Sequence, residues 1–234
     1  MFWHSRHLSL SFHKMLKPKN METKHQVHNL IILDESGSME SIKKTIIQGF
    51  NEIVQTVKGI EKEFPEQEHF ISLITFNGLR HKVLHFNEPA SKLEQIDDKR
   101  YKPNATTPLY DAIGFGIVRQ KQVLEKLTDY NVLVTILTDG EENASKEYSG
   151  HAIKKLIDDL KLNRWTFIYI GADHDIEKSA ASISISNTMV FQKNEEDMKL
   201  MFVKEKTSRQ YYSQKIRDKK DTADDFYNDE EVQK

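Results

Sequence analysis

The sequence predicts an α/β protein with a doubly wound, mostly parallel six-stranded sheet, one antiparallel edge strand and helices on both faces. Short apolar runs alternate along the chain with amphipathic stretches of helical period, which is typical of a parallel sheet covered by helices. Asn77-Gly78 separates two strand-like segments and indicates one tight reversal. Together these patterns indicate a Rossmann-like architecture.

The first strand and helix are predicted over residues 28–60. Residues 28–33 (HNLIIL) form an apolar run without alternation, which favours a strand covered on both faces. From Ile42 onward, apolar residues recur at steps of three and four, which is typical of a helix that packs on a sheet. We therefore expect this strand to lie near the centre of the sheet.

The next segment predicts a hairpin at one edge of the sheet. Residues 70–76 (FISLITF) and 81–86 (HKVLHF) read as strands on either side of Asn77-Gly78, so the second should run antiparallel to the first. Residues 87–107 are polar and predict a loop with one short helix around residues 93–96.

The remaining elements continue the alternation. Strands are predicted at residues 132–137, 165–170 and 189–191, and helices at residues 109–127, 153–160 and 195–206. We divide the chain into a disordered N-terminal extension over residues 1–24, one folded domain over residues 25–206 and a charged C-terminal tail over residues 207–234. For the first twenty residues, a mitochondrial-type leader and a start at Met21 are alternatives to a disordered extension.

Composition excludes several classes of site. A formal net charge of −2 and a pI near 6.6 predict no sequence-wide attraction to nucleic acid or to an anionic membrane. The sequence contains no cysteine, so a disulfide, a thiolate metal site and a cysteine nucleophile are all excluded. This composition suits a reducing compartment, and we expect a cytoplasmic protein.

Three polar segments stand where the predicted fold would bring them together. Asp34, Ser36 and Ser38 follow the first strand, Thr107 precedes the helix from residue 109, and Asp139 follows the strand at residues 132–137. Ligands of open α/β sheets bind beside the carboxyl ends of strands. Carboxylates and hydroxyls are hard oxygen donors, which suit Mg²⁺, Mn²⁺ or Ca²⁺ rather than Zn²⁺.

The pattern D-x-S-x-S, followed by a threonine in TTPLYDA and an aspartate in LTDGEENAS, resembles the metal-ion-dependent adhesion site of von Willebrand factor A-type (vWA) domains, also called integrin I-like domains. The resemblance covers roughly residues 28–205. It implies that Ser36 and Ser38 bind the ion directly, that Thr107 does so directly or through water, and that Asp34 and Asp139 act partly through water.

The resemblance further implies a Mg²⁺-dependent protein-binding module that recognises an Asp or Glu of a partner and acts as an intracellular adaptor. Read singly, the same residues are ordinary helix caps and turn residues. Two other functions stay open. One is a Mg²⁺-dependent phosphohydrolase with Asp34 as nucleophile, although Ser36 stands where such enzymes carry a second carboxylate. The other is a vWA scaffold whose metal is purely structural.

Overall fold

The computed structural model describes residues 24–172 and 175–227, and most of these residues belong to one six-stranded sheet and the helices that cover it. The strand order is β3-β2-β1-β4-β5-β6. The strands are β1 (His25–Asp34), β2 (Gln67–Asn77), β3 (Arg80–Pro89), β4 (Tyr130–Thr138), β5 (Trp165–Ala172) and β6 (Asn187–Phe191).

The sheet is parallel except at one edge. β1 pairs in parallel with both β2 and β4, and β5 and β6 extend the same arrangement. β3 pairs antiparallel with β2 through the turn that follows Asn77. The predicted fold class, including the antiparallel edge strand, is confirmed.

In the described part of the chain, five α-helices cover the two faces of the sheet. They are α1 (Lys43–Glu63), α2 (Leu109–Leu124), α3 (Gly150–Lys161), α4 (Ile176–Ser182) and α5 (Glu195–Arg217). α1 and α5 share one apolar core with the sheet, and α2, α3 and α4 share the other. Among the helices that the structure describes, none is long and apolar enough to cross a membrane.

The central strand shows why its sequence does not alternate. Leu30 and Ile32 belong to the core under α2, whereas Ile31 and Leu33 belong to the core under α1 and α5. Successive side chains of a strand point to opposite faces, and both faces of this sheet are covered. Each position of the run is therefore buried.

The prediction of a short helix at residues 93–96 is wrong. A 3₁₀ turn at Ala90–Lys92 takes its place, and Leu93 and Ile96 are buried in a segment without regular structure. Asn51 of α1 donates a hydrogen bond to the Ile96 carbonyl (3.1 Å) and accepts one from its amide (3.0 Å). A side chain of another element thus satisfies the backbone, which removes the need for a helix there.

The last helix continues well past its predicted end at residue 206. α5 ends at Arg217, and its later turns bury Ser208, Arg209 and Ser213 against the sheet. Residues 218–227 then return to the sheet, where Phe226 packs with Tyr212. Polar side chains in contact with the sheet give no apolar period, which explains why the sequence indicated a charged tail.

Two histidines are buried among the central strands. His28 of β1 stacks on Phe70 and hydrogen-bonds to Asn87 (2.9 Å), while His69 of β2 contacts Asn29 (3.5 Å). Burial lowers the pKa of His28 from 6.5 to about 4 and the pKa of His69 to about 3. Both side chains are therefore neutral inside the folded protein near pH 7.

Candidate functional site

The candidate site lies at the carboxyl end of the two central strands. Asp34 is the last residue of β1, Ser36 is the N-cap of a 3₁₀ helix at Gly37–Ile42, and Ser38 lies in the first turn of that helix. Asp139 follows β4 directly, and β1 and β4 are neighbours in register up to Leu33 and Leu137. The parallel pairing therefore brings both carboxylates to one end of the sheet.

Hydrogen bonds join these two loops into one cluster. The Ser36 and Ser38 hydroxyl oxygens lie 3.1 Å apart, and the Ser38 hydroxyl donates to Asp139 Oδ1 at 2.5 Å. Asp34 Oδ1 accepts the Ser36 amide at 2.7 Å, and its Oδ2 accepts the Thr138 hydroxyl at 2.6 Å. The carboxylate of Asp34 is thus held rigidly by both loops.

Thr107 joins the cluster from the loop before α2. A β-carbon added to Gly140 would lie 3.2 Å from Thr107 Oγ1 and 3.8 Å from both Asp34 Oδ2 and Ser38 Oγ. Oxygen atoms of the first two predicted segments therefore lie around one point beside Gly140, where a larger residue would crowd them. Asp139 of the third segment joins them through the Ser38 hydroxyl. The neighbouring Thr106 has its hydroxyl against Gly78 instead, so Thr107 is the threonine of the cluster.

The cluster concentrates negative charge away from water. The side chains of Asp34 and Asp139 are almost completely buried. The pKa of Asp34 is raised from 3.8 to about 6, mainly by burial and also by the charge of Asp139, while hydrogen bonds from Thr138 and Ser36 act in the opposite direction. With a raised pKa, this carboxyl adds stability as the pH falls from about 6 towards 3.8, and this contribution is lost at higher pH. A bound cation would offset the same electrostatic cost near pH 7.

The donor set fits a hard divalent cation. It consists of two carboxylates and three hydroxyls, with no sulfur and no imidazole, which is a set that suits Mg²⁺. Within residues 24–172 and 175–227 no group of three or more His, Cys, Asp or Glu side chains is arranged to hold a metal. The hydroxyl oxygens are therefore essential to this candidate site.

Glu35, which lies between Asp34 and Ser36 in the sequence, connects the first loop of the site to neighbouring elements. Its fully buried carboxylate forms an ion pair with Lys82 of β3 and accepts hydrogen bonds from the Thr75 hydroxyl (2.7 Å) and the Lys102 amide (2.5 Å). Its carbonyl also accepts the Asn104 amide at 2.9 Å. Glu35 thus fastens the loop that carries Thr107 to the first loop. Sequence reasoning did not single it out.

Two further supports also escaped the sequence reasoning. The Tyr101 hydroxyl donates to the Asp34 carbonyl at 2.6 Å. The Asn143 side chain accepts the Thr107 amide at 3.0 Å, and the Asn143 amide donates to the Thr107 carbonyl at 3.2 Å. Tyr101 carries no sequence signal for this role, whereas the nearness of Asn143 to Asp139 in the chain was the only available hint.

A lysine reaches the site from the loop before α5. Lys193 Nζ lies 2.9 Å from Asp139 Oδ2, an oxygen that accepts no hydrogen bond of favourable geometry from the described residues. Lys193 directly precedes Asn194, which caps the first turn of α5. This ion pair links the loop after β4 to the start of the last helix.

Comparison with protein families places the domain in a known family. The model of the von Willebrand factor type A domain matches residues 30–204, and the chain belongs to this family. Domains of this family are typically protein-interaction modules rather than enzymes. No curated protein matches the sequence.

The solved structures to which this chain is similar share little sequence with it. A von Willebrand factor type A protein from Catenulispora acidiphila is 16% identical, with a TM-score of 0.48, and the match covers 79% of this chain and 43% of that one. The ArnB paralog VWA2 from Sulfolobus acidocaldarius is 19% identical, with a TM-score of 0.46, and the match covers 80% of this chain and 46% of that one. The SpRpn10 VWA domain is 13% identical, with a TM-score of 0.47, and the match covers 76% of this chain and 94% of that one. The chain thus spans less than half the length of the first two proteins.

Proposed function

We propose that this vWA domain binds one Mg²⁺ ion and uses it to bind an Asp or Glu side chain of a partner protein. The observation that carries the proposal is the convergence of oxygen atoms from three loops beside Gly140. The proposed ligands form a complete metal-ion-dependent adhesion site, namely Asp34, Ser36, Ser38, Thr107 and Asp139. Mn²⁺ and Ca²⁺ are also compatible with these oxygen donors.

The chemistry of the ligands explains why such an ion would attract an acidic partner. Three of the five donors are neutral hydroxyls, and the two carboxylates would act partly through water, so a bound ion would keep positive charge for a ligand from outside. A bound Mg²⁺ would act as a Lewis acid for an oxygen ligand from outside. Asp34 holds Ser36 in place through its backbone amide, and Asp139 holds the hydroxyl of Ser38. Ser38 is exposed and lies on the side open to a partner.

Metal binding is tested by isothermal titration with MgCl₂ after treatment with EDTA. The wild type should bind one ion, and Asp34→Ala and Ser36→Ala should lose binding. Ser41→Ala is the matched control, because Ser41 is an exposed serine of the same loop that bonds only to the Ser38 carbonyl (3.3 Å). The proposal is wrong if the wild type binds no divalent ion, or if the Asp34 and Ser36 variants bind like the control.

Partner binding distinguishes an adhesion site from a structural metal. We expect acidic peptides to bind in Mg²⁺ and to dissociate in EDTA, with thermal stability largely kept in Asp34→Ala because the loop lies at the rim of the sheet. If binding were indifferent to chelation, the metal would have a structural role. Unfolding of the Asp34→Ala variant would also indicate that the metal has a structural role.

We propose binding rather than phosphohydrolase activity. Both carboxylate oxygens of Asp34 accept hydrogen bonds, which opposes their use as a nucleophile, and Ser36 provides no acid/base group. Phosphatase turnover that follows the purified protein and disappears in Asp34→Asn would contradict this. A cytoplasmic location is part of the proposal, since the cysteine-free sequence suits a reducing compartment.

A further inference from the structure

A large apolar side chain lies exposed close to the candidate metal site. Leu79 lies in the turn between β2 and β3, and 70% of its surface is exposed. The turn contacts the loop that carries Thr107, because the Gly78 amide donates to the carbonyl of Thr106 at 2.8 Å. Leu79 is therefore the immediate neighbour of a residue that contacts the ligand loops, and its exposure means that burial does not explain its apolar character.

Hydrogen bonds hold this turn in a fixed position. The Asn77 side chain accepts the amides of Leu79 (3.0 Å) and Arg80 (3.3 Å), and its own amide group donates to the Glu35 carbonyl at 3.3 Å. Glu35 lies between Asp34 and Ser36 of the first ligand loop. The turn is thus tied to two of the three loops of the site, and it presents Leu79 at a defined place beside them.

The loop residues that directly precede Thr107, next to the turn with Leu79, have small, uncharged side chains. Residues 104–106 (Asn-Ala-Thr) are exposed and carry no charge. Ala105 has a φ of 66°, a left-handed conformation that costs an alanine on the order of 1 kcal/mol. Its carbonyl accepts the Gly37 amide at 3.0 Å, which helps to hold this conformation beside the first ligand loop. Such strain is concentrated at functional sites in proteins.

We propose that the hairpin patch, defined as Leu79, Ala105 and Thr106, is a docking surface that selects among acidic partners. It favours a partner segment in which an aliphatic or aromatic side chain lies within a few residues of the metal-bound Asp or Glu. The apolar side chain packs on Leu79 while the acid reaches the ion. This inference rests on the proposed metal-dependent function, and it names the chemistry of the partner.

The patch is continuous with the site, which distinguishes it from other exposed leucines. Leu162 is 85% exposed, but it follows α3 and precedes β5, so it lies at the amino end of the strands, opposite the site. It serves as a matched control, because replacing it removes a similar exposed apolar surface without touching the ligand loops.

The test is a selection from a displayed peptide library in which one central Asp or Glu is fixed and the flanking positions are random. Peptides are bound to the wild-type chain in Mg²⁺ and eluted with EDTA. We expect enrichment of Leu, Ile, Val, Phe, Tyr or Trp close to the fixed acid. Leu79→Ser should lose this enrichment and bind the selected peptides about tenfold more weakly, while Leu162→Ser behaves like the wild type.

The outcomes separate this inference from the function on which it rests. Enrichment of acidic peptides without an apolar neighbour, or an unchanged preference in Leu79→Ser, overturns the role of the hairpin patch alone. A library that shows no EDTA-dependent binding overturns the proposed function, and the patch with it. Leu79→Ala is the second variant, and thermal melts of both variants should match the wild type because the side chain is exposed.

Discussion

Replacement of Arg209 by methionine should destabilise the fold strongly. This guanidinium is 2% exposed and pairs with the fully buried Glu205 at 2.7 Å. It also donates to Asn29 of β1 at 2.9 Å and to Thr135 of β4 at 2.7 Å. Methionine keeps much of the apolar volume but leaves the Glu205 carboxylate, among the residues that the structure describes, with the Tyr227 hydroxyl at 3.0 Å as its one remaining side-chain hydrogen-bond partner.

Removal of one partner of a buried ion pair costs about 3 to 5 kcal/mol. For a chain of this size, such a loss lowers the melting temperature by roughly 6 to 20 °C. The free energy of unfolding is measured by urea titration. Arg209→Lys should lose less than Arg209→Met but more than 1 kcal/mol, because one ammonium cannot bond to Glu205, Asn29 and Thr135 together.

The double variant Glu205→Met/Arg209→Met gives the control for this reasoning. It removes both charges, so it should be more stable than Arg209→Met alone. A loss below about 1 kcal/mol for Arg209→Met would refute the argument. It would show that water reaches Glu205 or that the pair contributes little to docking α5 on the sheet.

Two further predictions concern charge and pH. Lys193→Met removes the ammonium 2.9 Å from Asp139 and should raise the affinity for Mg²⁺ roughly threefold to tenfold in isothermal titration, and an unchanged affinity would contradict this. Because the pKa values of His28 and His69 are lowered from 6.5 to about 4 and about 3, the unfolded chain binds protons in this range that the folded chain does not. The free energy of unfolding in EDTA should therefore fall from pH 6.5 to pH 4, by on the order of 1 kcal/mol per pH unit for each histidine. Urea titrations at several pH values check this, and a profile that is flat below pH 6.5 would disprove it.

The sheet could be predicted because its signals are local. The apolar runs at residues 28–33 and 132–137 lie within β1 and β4, and Asn77 stands at the turn into β3. Buried strands and tight turns depend on residues that are adjacent in sequence, so their patterns are visible without the fold. The central place of the first strand and the antiparallel edge strand could be predicted in the same way, whereas the complete strand order is seen only in the structure.

Polar contacts between distant elements account for the errors in the helices. The side chain of Asn51 hydrogen-bonds to the backbone of Ile96, so no helix forms there. In the later turns of α5, Arg209 contacts the sheet through a hydrogen bond to Asn29, where an apolar side chain would have revealed the helix in the sequence. α4, at Ile176–Ser182, was not predicted, because its seven residues include only three buried or partly buried positions. Such short or polar segments acquire their structure from tertiary contacts rather than from a local period.

The candidate site shows the same division. The three polar segments could be proposed because the ends of neighbouring parallel strands meet, and the structure brings all five proposed ligands together. The residues that support these ligands could not be predicted. Lys82, Tyr101 and Lys193 come from other parts of the chain, and their sequence surroundings are those of ordinary surface or core residues. A lysine or tyrosine has no sequence mark that shows which carboxylate or carbonyl it will reach.

The central place of β1 has a consequence for how the nascent chain matures on the ribosome. β1 is the first strand along the described chain, yet one of its two neighbours, β4, begins only at Tyr130. Until that residue has emerged, β1 keeps one edge unpaired and apolar side chains on both faces, which is the kind of strand that invites intermolecular pairing. Synthesis of the segment between β2 and β4 is therefore an interval in which chaperone protection of β1 matters most.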